Sequence, residues 1–314
     1  MGIVFQDVVK QYPNTASPAV DHVSLEIHEG EFIVLLGPSG CGKTTLLKMV
    51  NRLYEPTSGT ILIDGTDIRQ VQEEQLRRGI GYVIQQNGLF PHMTIESNIA
   101  VVPKLLKWDA QKIDRRIDEL LEMVHLDPKI YRKRRPNQLS GGQQQRVGIA
   151  RAMAADPKVL LMDEPFGAID AITRASLQDE LRRIQQQLRK TILFVTHDVD
   201  EAFKLADRII VMQAGKVVQF APPIEILTKP ANDFIKKLIG GQDIFRKMNF
   251  LKVKDVYEPG TPANASGGVA LSDDLKEVFT RMVEDQVRTF PVFGEDRRPV
   301  GTITMEHILT HLAK

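Results

Sequence analysis

One glycine-rich segment has the residue types and the spacing of a loop that binds phosphate groups. In such a loop the glycines let successive backbone N–H groups turn toward phosphate oxygens, a lysine supplies a compact cation, and the hydroxyl that follows can bind Mg²⁺. The general pattern is G-x-x-x-x-G-K-[ST]. The residues that match it, with the next hydroxyl residue, are Gly37, Pro38, Ser39, Gly40, Cys41, Gly42, Lys43, Thr44 and Thr45.

The segments on either side of this loop are the ones that would position it. The apolar run 32–36 precedes the loop and predicts a buried strand, and a helix is predicted to begin near Thr44. The positive end of the helix dipole would then lie where the phosphates bind. This order of strand, loop and helix favours a phosphate site over an ordinary Gly-rich turn.

A second apolar run ends in two adjacent carboxylates. The run 159–162 leads directly into Asp163 and Glu164. Because a carboxylate committed to a metal ion is a poor base, we expect the two residues to have different roles. Asp163 would hold Mg²⁺ through water, and Glu164 would orient and deprotonate the attacking water molecule. Such pairs also occur as helix caps, so this interpretation depends on the phosphate loop upstream.

The alternation of apolar runs with amphipathic stretches indicates an α/β fold with a mixed, largely parallel central sheet. The segments 3–9, 23–27 and 60–64 are short and half-apolar, and they predict an antiparallel β-subdomain at the N-terminus. Further predicted elements are a helix over 110–124, strands over 159–163 and 191–196, and a helix over 172–189 between those strands.

The composition is typical of a soluble globular protein. Hydrophobic residues make up 42% of the 314 residues, and 41 Lys and Arg against 40 Asp and Glu leave a net charge of +1. That balance provides no basic field for nucleic acid, so no nucleic-acid partner is expected. The apolar runs are shorter than the roughly 18 to 20 residues of a membrane-spanning helix. With no secretory signal pattern and Cys41 as the single cysteine, a cytoplasmic location is expected.

A third motif points to one family. Ser140 and the N–H groups of Gly141 and Gly142, at the start of a predicted helix, can form a second cradle for a γ-phosphate. Together with Gln143 they complete the run Leu-Ser-Gly-Gly-Gln at 139–143. With the phosphate loop upstream and the acidic strand downstream, this run resembles the signature of the ABC ATPases. The resemblance covers about residues 1–240 and implies an ABC-type ATPase with a helical subdomain.

The resemblance implies further site residues. Tyr12 matches the aromatic residue that stacks on adenine, Gln85 the glutamine that links the Mg²⁺ site to a membrane partner, and His197 the switch histidine. The segment 167–170 matches the loop at the dimer crossing. In this family ATP lies between the phosphate loop of one subunit and the signature of the other, so a homodimer is implied. The implied catalytic residues are Lys43, Gln85, Glu164 and His197, and the implied metal-binding residues are Thr44, Gln85 and Asp163.

Three stretches, 51–59, 81–92 and 102–108, resemble the quaternary-amine, osmoprotectant importers of the OpuC and OsmV type. Members of that branch import glycine betaine, carnitine or choline. The resemblance implies a subunit at the cytoplasmic face of the membrane, working with permease subunits and, indirectly, an extracytoplasmic solute-binding protein. The alternative is a soluble ABC ATPase acting in DNA repair or translation, but neither a coiled-coil insertion nor a second ATPase half is visible. A P-loop kinase or GTPase would give no reason for the run 139–143.

The pattern changes near 239–243, and a separate α+β module is predicted over 250–314. It contains a predicted loop at 258–268, two short strands and a last helix. Its first helix is amphipathic and carries the apolar residues Leu275, Val278, Phe279, Met282 and Val283.

The stretches 288–293 and 299–304 of this module resemble one cystathionine-β-synthase (CBS) motif. Such motifs work in pairs, so the resemblance implies that two tails pair across the homodimer. They would either sense ionic strength or an adenine nucleotide, or act only in dimerisation. The family's T-x-x-D ribose contact reads Thr304-Met305-Glu306-His307 and lacks the aspartate.

Overall fold

The computed structural model describes residues 2–84, 88–167, 169–240, 248, 250–260, 267–294, 296 and 298–313. Its strands are β1 (Ile3–Lys10), β2 (Val20–Ile27), β3 (Phe32–Leu36), β4 (Ser58–Ile63), β5 (Thr66–Asp67), β6 (Ile80–Val83), β7 (Val159–Asp163), β8 (Thr191–Thr196), β9 (Arg208–Gln213), β10 (Lys216–Ala221), β11 (Glu258–Pro259), β12 (Val269–Ala270), β13 (Thr289–Phe293) and β14 (Pro299–Thr304). Its helices are α1 (Lys43–Val50), α2 (Glu73–Arg78), α3 (Ile95–Ile99), α4 (Val101–Leu105), α5 (Ala110–Met123), α6 (Pro128–Tyr131), α7 (Gly141–Met153), α8 (Ala171–Leu188), α9 (Val199–Leu205), α10 (Pro223–Thr228), α11 (Asp233–Leu238), α12 (Leu275–Glu284) and α13 (Met305–Ala313).

The N-terminal sheet is antiparallel, with the strand order β2-β1-β4-β5. In β1 the side chains of Ile3, Phe5 and Val8 are buried. The register shifts between Phe5 and Val8, where Asp7 adopts a φ of 50°. This shift keeps Val8 on the buried side of the sheet. The sheet confirms the predicted antiparallel β-subdomain.

The second sheet is mixed and has the order β10-β9-β3-β8-β7-β6, in which only β10 runs antiparallel to its neighbour. Every residue of β3, β7 and β8 is buried, as expected for strands covered on both faces. Because these three strands are parallel neighbours, the loops that follow them leave the same edge of the sheet. That edge therefore gathers the predicted phosphate loop, the two carboxylates and His197.

Helices predicted from sequence periodicity are present with nearly the predicted bounds. Helix α5 buries Ile113, Ile117 and Leu120, and the Asp109 side chain caps its N-terminus by accepting hydrogen bonds from two backbone N–H groups. Helix α8 connects the parallel strands β7 and β8, which confirms the predicted βαβ unit. In the part of the chain that the structure describes, no helix combines the length and apolar character needed to cross a lipid bilayer.

Contacts between residues divide the chain into two compact units, Met1–Pro223 and Ile224–Lys314. Helices α10 and α11 thus group with the C-terminal unit. The functional boundaries at residues 240 and 250 stay predictions, since residues 241–247 lie outside the described part of the chain.

The C-terminal unit contains a four-stranded sheet with the order β11-β14-β13-β12. Helix α12 buries Leu275, Val278 and Met282, but the Val283 side chain is 56% exposed, so the predicted apolar stripe is one residue too wide. The predicted loop at 258–268 is also too long. Its first two residues form strand β11, which pairs with β14 at the edge of the sheet.

Candidate active site

The phosphate loop joins the buried strand β3 to helix α1, and close packing requires glycine at two of its positions. Gly37 and Gly42 have φ values of 153° and 107°. A Cβ atom on Gly37 would lie 2.3 Å from the carbonyl oxygen of Met212, and one on Gly42 would lie 2.2 Å from that of Ala19. No other residue type fits these positions without moving the backbone. The tip residues 38–40 are exposed.

Lys43 is the first residue of α1, and its side chain folds back inside the loop. The residue is only 6% exposed, and Nζ donates hydrogen bonds to the carbonyl oxygens of Gly37 (2.7 Å) and Pro38 (3.0 Å). The buried thiol of Cys41 lies 3.8 Å from Nζ. The ammonium group is therefore held inside the loop by carbonyl oxygens of the loop itself.

Thr44 and Asp163 are brought together from α1 and β7. Thr44 Oγ1 donates a hydrogen bond of 2.9 Å to Asp163 Oδ1. Asp163 is 3% exposed, and this burial raises the pKa of its carboxyl group, while the Thr44 bond and the charges of Lys48 and Lys43 act in the opposite direction. A hydroxyl and a carboxylate oxygen are ligands that Mg²⁺ accepts, so the pair fits a Mg²⁺ site. Thr45 follows on α1 and is partly buried.

Glu164 follows β7 directly and faces His197, which follows β8. Its Oε1 lies 3.2 Å from His197 Nδ1. Glu164 adopts a φ of 46°, and its backbone N–H donates to the carbonyl oxygen of Val195 (3.0 Å), so the turn is fixed to the neighbouring strand. The side chains of Glu164 and His197 are 24% and 67% exposed. This arrangement leaves the carboxylate within reach of solvent, as a base that acts on water requires.

Two buried polar residues, Gln145 and Glu201, make hydrogen bonds next to Glu164 and His197, and neither of them was predicted from the sequence. Gln145 Nε2 donates to the backbone oxygen of Glu164 (3.2 Å). Glu201 accepts hydrogen bonds from Thr196 Oγ1 (2.7 Å) and from Gln178 Nε2 (3.2 Å), and burial raises the pKa of its carboxyl group. The sequence does indicate that Gln145 is buried. It lies three residues before Gly148 and four before Ile149, so these residues share one face of α7.

The signature residues form the start of α7. Ser140 Oγ accepts a hydrogen bond from the backbone N–H of Gln143 (3.3 Å), and Gln143 Oε1 accepts one from the N–H of Ser140 (3.0 Å). Gln143 Nε2 donates to the hydroxyl of Tyr131 (3.1 Å). Ser140 and Gly141 are exposed, and Gly142 is partly exposed. These bonds are local, so they order the signature without joining it to the phosphate loop of the same chain.

The remaining predicted residues lie at the margin of the site or outside the described part of the chain. Tyr12 is partly exposed, and its ring contacts the ring of Tyr54. Gln85 lies among residues 85–87, outside the described residues, as does Ala168 within the segment 167–170.

A phosphate loop between strand and helix, with two carboxylates and a histidine at the same sheet edge, defines a P-loop nucleoside triphosphatase. The glycine betaine/carnitine/choline transport ATP-binding protein OpuCA of Bacillus subtilis is 52% identical over 266 residues, covering 85% of this chain and 70% of that protein. The osmoprotectant import ATP-binding protein OsmV of Salmonella typhimurium is 48% identical over 285 residues, covering 91% and 74%. The chain belongs to the ABC transporter family, whose model matches residues 20–167, and it is an ABC-type ATPase.

The fold comparison agrees with this family. A dimeric structure of the ATP-binding cassette MJ0796 in a post-hydrolysis state, bound to ADP and Pi, superposes with a TM-score of 0.65 at 35% sequence identity. The match covers 70% of this chain and 98% of that one. The CBS domain model matches residues 269–314. The predicted fold class and both predicted family resemblances are therefore confirmed.

Proposed function

We propose that the chain drives the import of quaternary-amine osmoprotectants by hydrolysing ATP in a homodimer. The single observation that carries the proposal is the pair of contacts at one sheet edge. Thr44 lies 2.9 Å from Asp163, and Glu164 lies 3.2 Å from His197. The oxygen ligands for a metal and a partly exposed base thus lie at the same sheet edge as the phosphate loop.

The phosphates of ATP would bind against the backbone N–H groups of residues 37–44. Lys43 would exchange its bonds to the carbonyl oxygens of Gly37 and Pro38 for bonds to phosphate oxygens. Thr44 would hold Mg²⁺ directly and Asp163 would do so through water, and the ion would supply neutralisation of the charge that develops on the phosphates.

Glu164 would accept the proton of the attacking water, and His197 would orient the Glu164 carboxylate. Carboxylate and imidazole need only small movements for this, because they are already in contact. Gln85, which we propose as a further metal contact and link to the membrane partner, lies outside the described residues.

The signature would act on the ATP bound by a second copy of the chain. The first N–H groups of a helix have no partner within the helix, so those of Gly141 and Gly142 are suited to a γ-phosphate. The Ser140–Gln143 cap keeps this helix start ordered. The dimeric arrangement of the MJ0796 cassette supports the same assembly for this chain.

The transported solute and the partners are proposed from the relatives. The name of OpuCA refers to the transport of glycine betaine, carnitine and choline, and that of OsmV refers to osmoprotectant import. We accordingly propose a peripheral subunit at the cytoplasmic face of the membrane, coupled to permease subunits and to an extracytoplasmic solute-binding protein. We also propose an ATPase region over 1–240 and a regulatory or dimerisation module over 250–314. The import names of the relatives do not favour a soluble ABC ATPase uncoupled from transport.

The proposal is tested by uptake and hydrolysis in the same variant. In purified Glu164→Gln protein, ATP hydrolysis should fall by about 10² to 10⁴, the scale of general-base catalysis, with ATP binding retained. In cells whose chromosomal gene carries the change, uptake of radiolabelled glycine betaine, carnitine and choline at high osmolarity should be lost. The control is Glu74→Gln, an exposed residue paired with Arg78. Lost hydrolysis with unchanged uptake of all three solutes would exclude coupling to their import.

A further inference from the structure

The rings of Tyr12 and Tyr54 meet edge to face. Their centroids are 5.8 Å apart and their planes stand at 90°. Aromatic pairs favour this arrangement because the positive edge of one ring meets the negative face of the other. Tyr54 is 37% exposed, so burial in the core does not account for its position. The contact therefore restricts the orientation of the Tyr12 ring to one that fits against the Tyr54 ring.

Tyr54 is held by the turn that ends α1. The backbone N–H of Leu53 donates to the carbonyl oxygen of Lys48 (3.0 Å). Arg52 adopts a φ of 48°, and its Nη1 donates to the carbonyl oxygen of Val71 (2.9 Å). The backbone that leads to Tyr54 is therefore bound both to α1 and to a neighbouring segment.

The segment that carries Tyr12 is bound to the same turn. Lys10 Nζ donates to the carbonyl oxygen of Glu55 (2.7 Å), and the backbone N–H of Gln11 donates to Thr57 Oγ1 (3.0 Å). The end of β1 and the residues after α1 thus form one hydrogen-bonded unit. Since Tyr12 is partly exposed and follows this unit directly, only its side chain needs a further contact to be oriented.

This unit is continuous with the phosphate loop. Helix α1 begins at Lys43, inside the loop, and ends at Val50, just before the turn. A cation also lies near each ring. Lys48 Nζ is 5.5 Å from the Tyr54 centroid, and Lys10 Nζ is 5.4 Å from the Tyr12 centroid. A short helix therefore connects the phosphate site to both rings.

We propose that Tyr54 is a positioning residue for the purine base of the bound nucleotide. It holds the Tyr12 ring in the orientation in which that ring stacks on the base, and it does not touch the nucleotide itself. The inference rests on the proposed ATP site and on the predicted stacking role of Tyr12. Loss of Tyr54 weakens the binding of nucleotides that carry a base and leaves the binding of the phosphates unchanged.

The test measures binding directly, without hydrolysis. The fluorescence of MANT-ATP is titrated with each variant in EDTA, and inorganic triphosphate serves as the competing probe that has no base. Tyr54→Leu weakens MANT-ATP binding by about three- to tenfold, while triphosphate affinity changes by less than about twofold. Tyr54→Phe keeps the ring and restores binding. Leu53→Ala, an exposed neighbour in the same turn, is the matched control and binds as wild type does.

A double-variant cycle shows whether Tyr54 acts through Tyr12. The double variant Tyr12→Ala/Tyr54→Leu binds MANT-ATP as weakly as Tyr12→Ala alone. Without the Tyr12 ring, Tyr54 has no ring left to position, so its loss has no further effect. Additive losses, or no loss from Tyr54→Leu beside a loss from Tyr12→Ala, overturn the inference. If neither single variant weakens binding, the stacking role of Tyr12 is wrong and the inference fails with it. A wild-type chain that does not bind MANT-ATP contradicts the proposed ATP site itself.

Discussion

Replacement of Asn98 by Ala should destabilise the loop 88–94 by an amount that follows from its hydrogen bonds. Asn98 is fully buried at 0% exposure. Its Oδ1 accepts from the backbone N–H of Phe90 (2.8 Å), and its Nδ2 donates to the carbonyl oxygens of Phe90 (3.1 Å) and Thr94 (3.0 Å). At about 1 kcal/mol for each of these three bonds, with a further loss of about 1 kcal/mol for the unpaired N–H, the free energy of unfolding should fall by about 3–4 kcal/mol.

Urea unfolding measures the total change, and hydrogen exchange at the Phe90 amide locates it. Asn98→Asp should be at least as damaging as Asn98→Ala, because its second carboxylate oxygen faces the carbonyl oxygens that Nδ2 now serves. Asn137→Ala, at an exposed asparagine, should change stability by less than about 0.5 kcal/mol. A loss below about 1 kcal/mol in Asn98→Ala, with unchanged exchange at Phe90, would refute the reasoning.

Two further predictions concern the metal and the histidine turn. Thr44→Val should raise the Mg²⁺ concentration for half-maximal ATP hydrolysis by at least about tenfold, with ATP binding in EDTA unchanged; equal Mg²⁺ requirements in this variant and in the control Thr280→Val, in the C-terminal unit, would remove Thr44 from the metal site. Burial raises the pKa of Glu201 above its ordinary 4.5, so the folded chain binds this proton more tightly than the unfolded chain does. The stability of wild type relative to Glu201→Gln should therefore fall as the pH rises from about 4.5 through the raised pKa. Urea midpoints that stay parallel across the pH series would contradict this sign.

The loop 37–44, the strand that precedes it and the carboxylates after β7 were predictable because each is a contiguous pattern with a known strand or helix beside it. The convergence of β3, β7 and β8 at one sheet edge also follows from their parallel βαβ order. The structure brings together the residues that the motifs proposed for the phosphate and metal sites, Lys43, Thr44 and Asp163.

The supporting contacts were not predictable, because no sequence pattern specifies which groups these polar side chains bind. Gln145 on α7 donates to the backbone of Glu164 after β7, and Asn98 on α3 binds the backbone of Phe90 and Thr94. In the tail, the helical period placed Val283 on the buried stripe, but it lies at the edge of that stripe and is exposed. Periodicity identifies a helix face more reliably than it does the width of that face.

If ATP is hydrolysed at a site shared by two copies of the chain, two inactive variants should restore activity when they are mixed. Lys43→Ala disables the phosphate loop. Gly141→Glu places a carboxylate against the γ-phosphate, and a Cβ atom at Gly141 meets no atom within 4 Å, so the fold should be retained.

The measurement is ATPase activity of each variant alone and of an equal mixture allowed to exchange subunits. In a shared site, each mixed dimer has one site with both substitutions and one site with neither. Half of the dimers are then mixed, and the mixture should regain about a quarter of wild-type activity. Activity of the mixture that stays at the level of the separate variants would contradict the shared site.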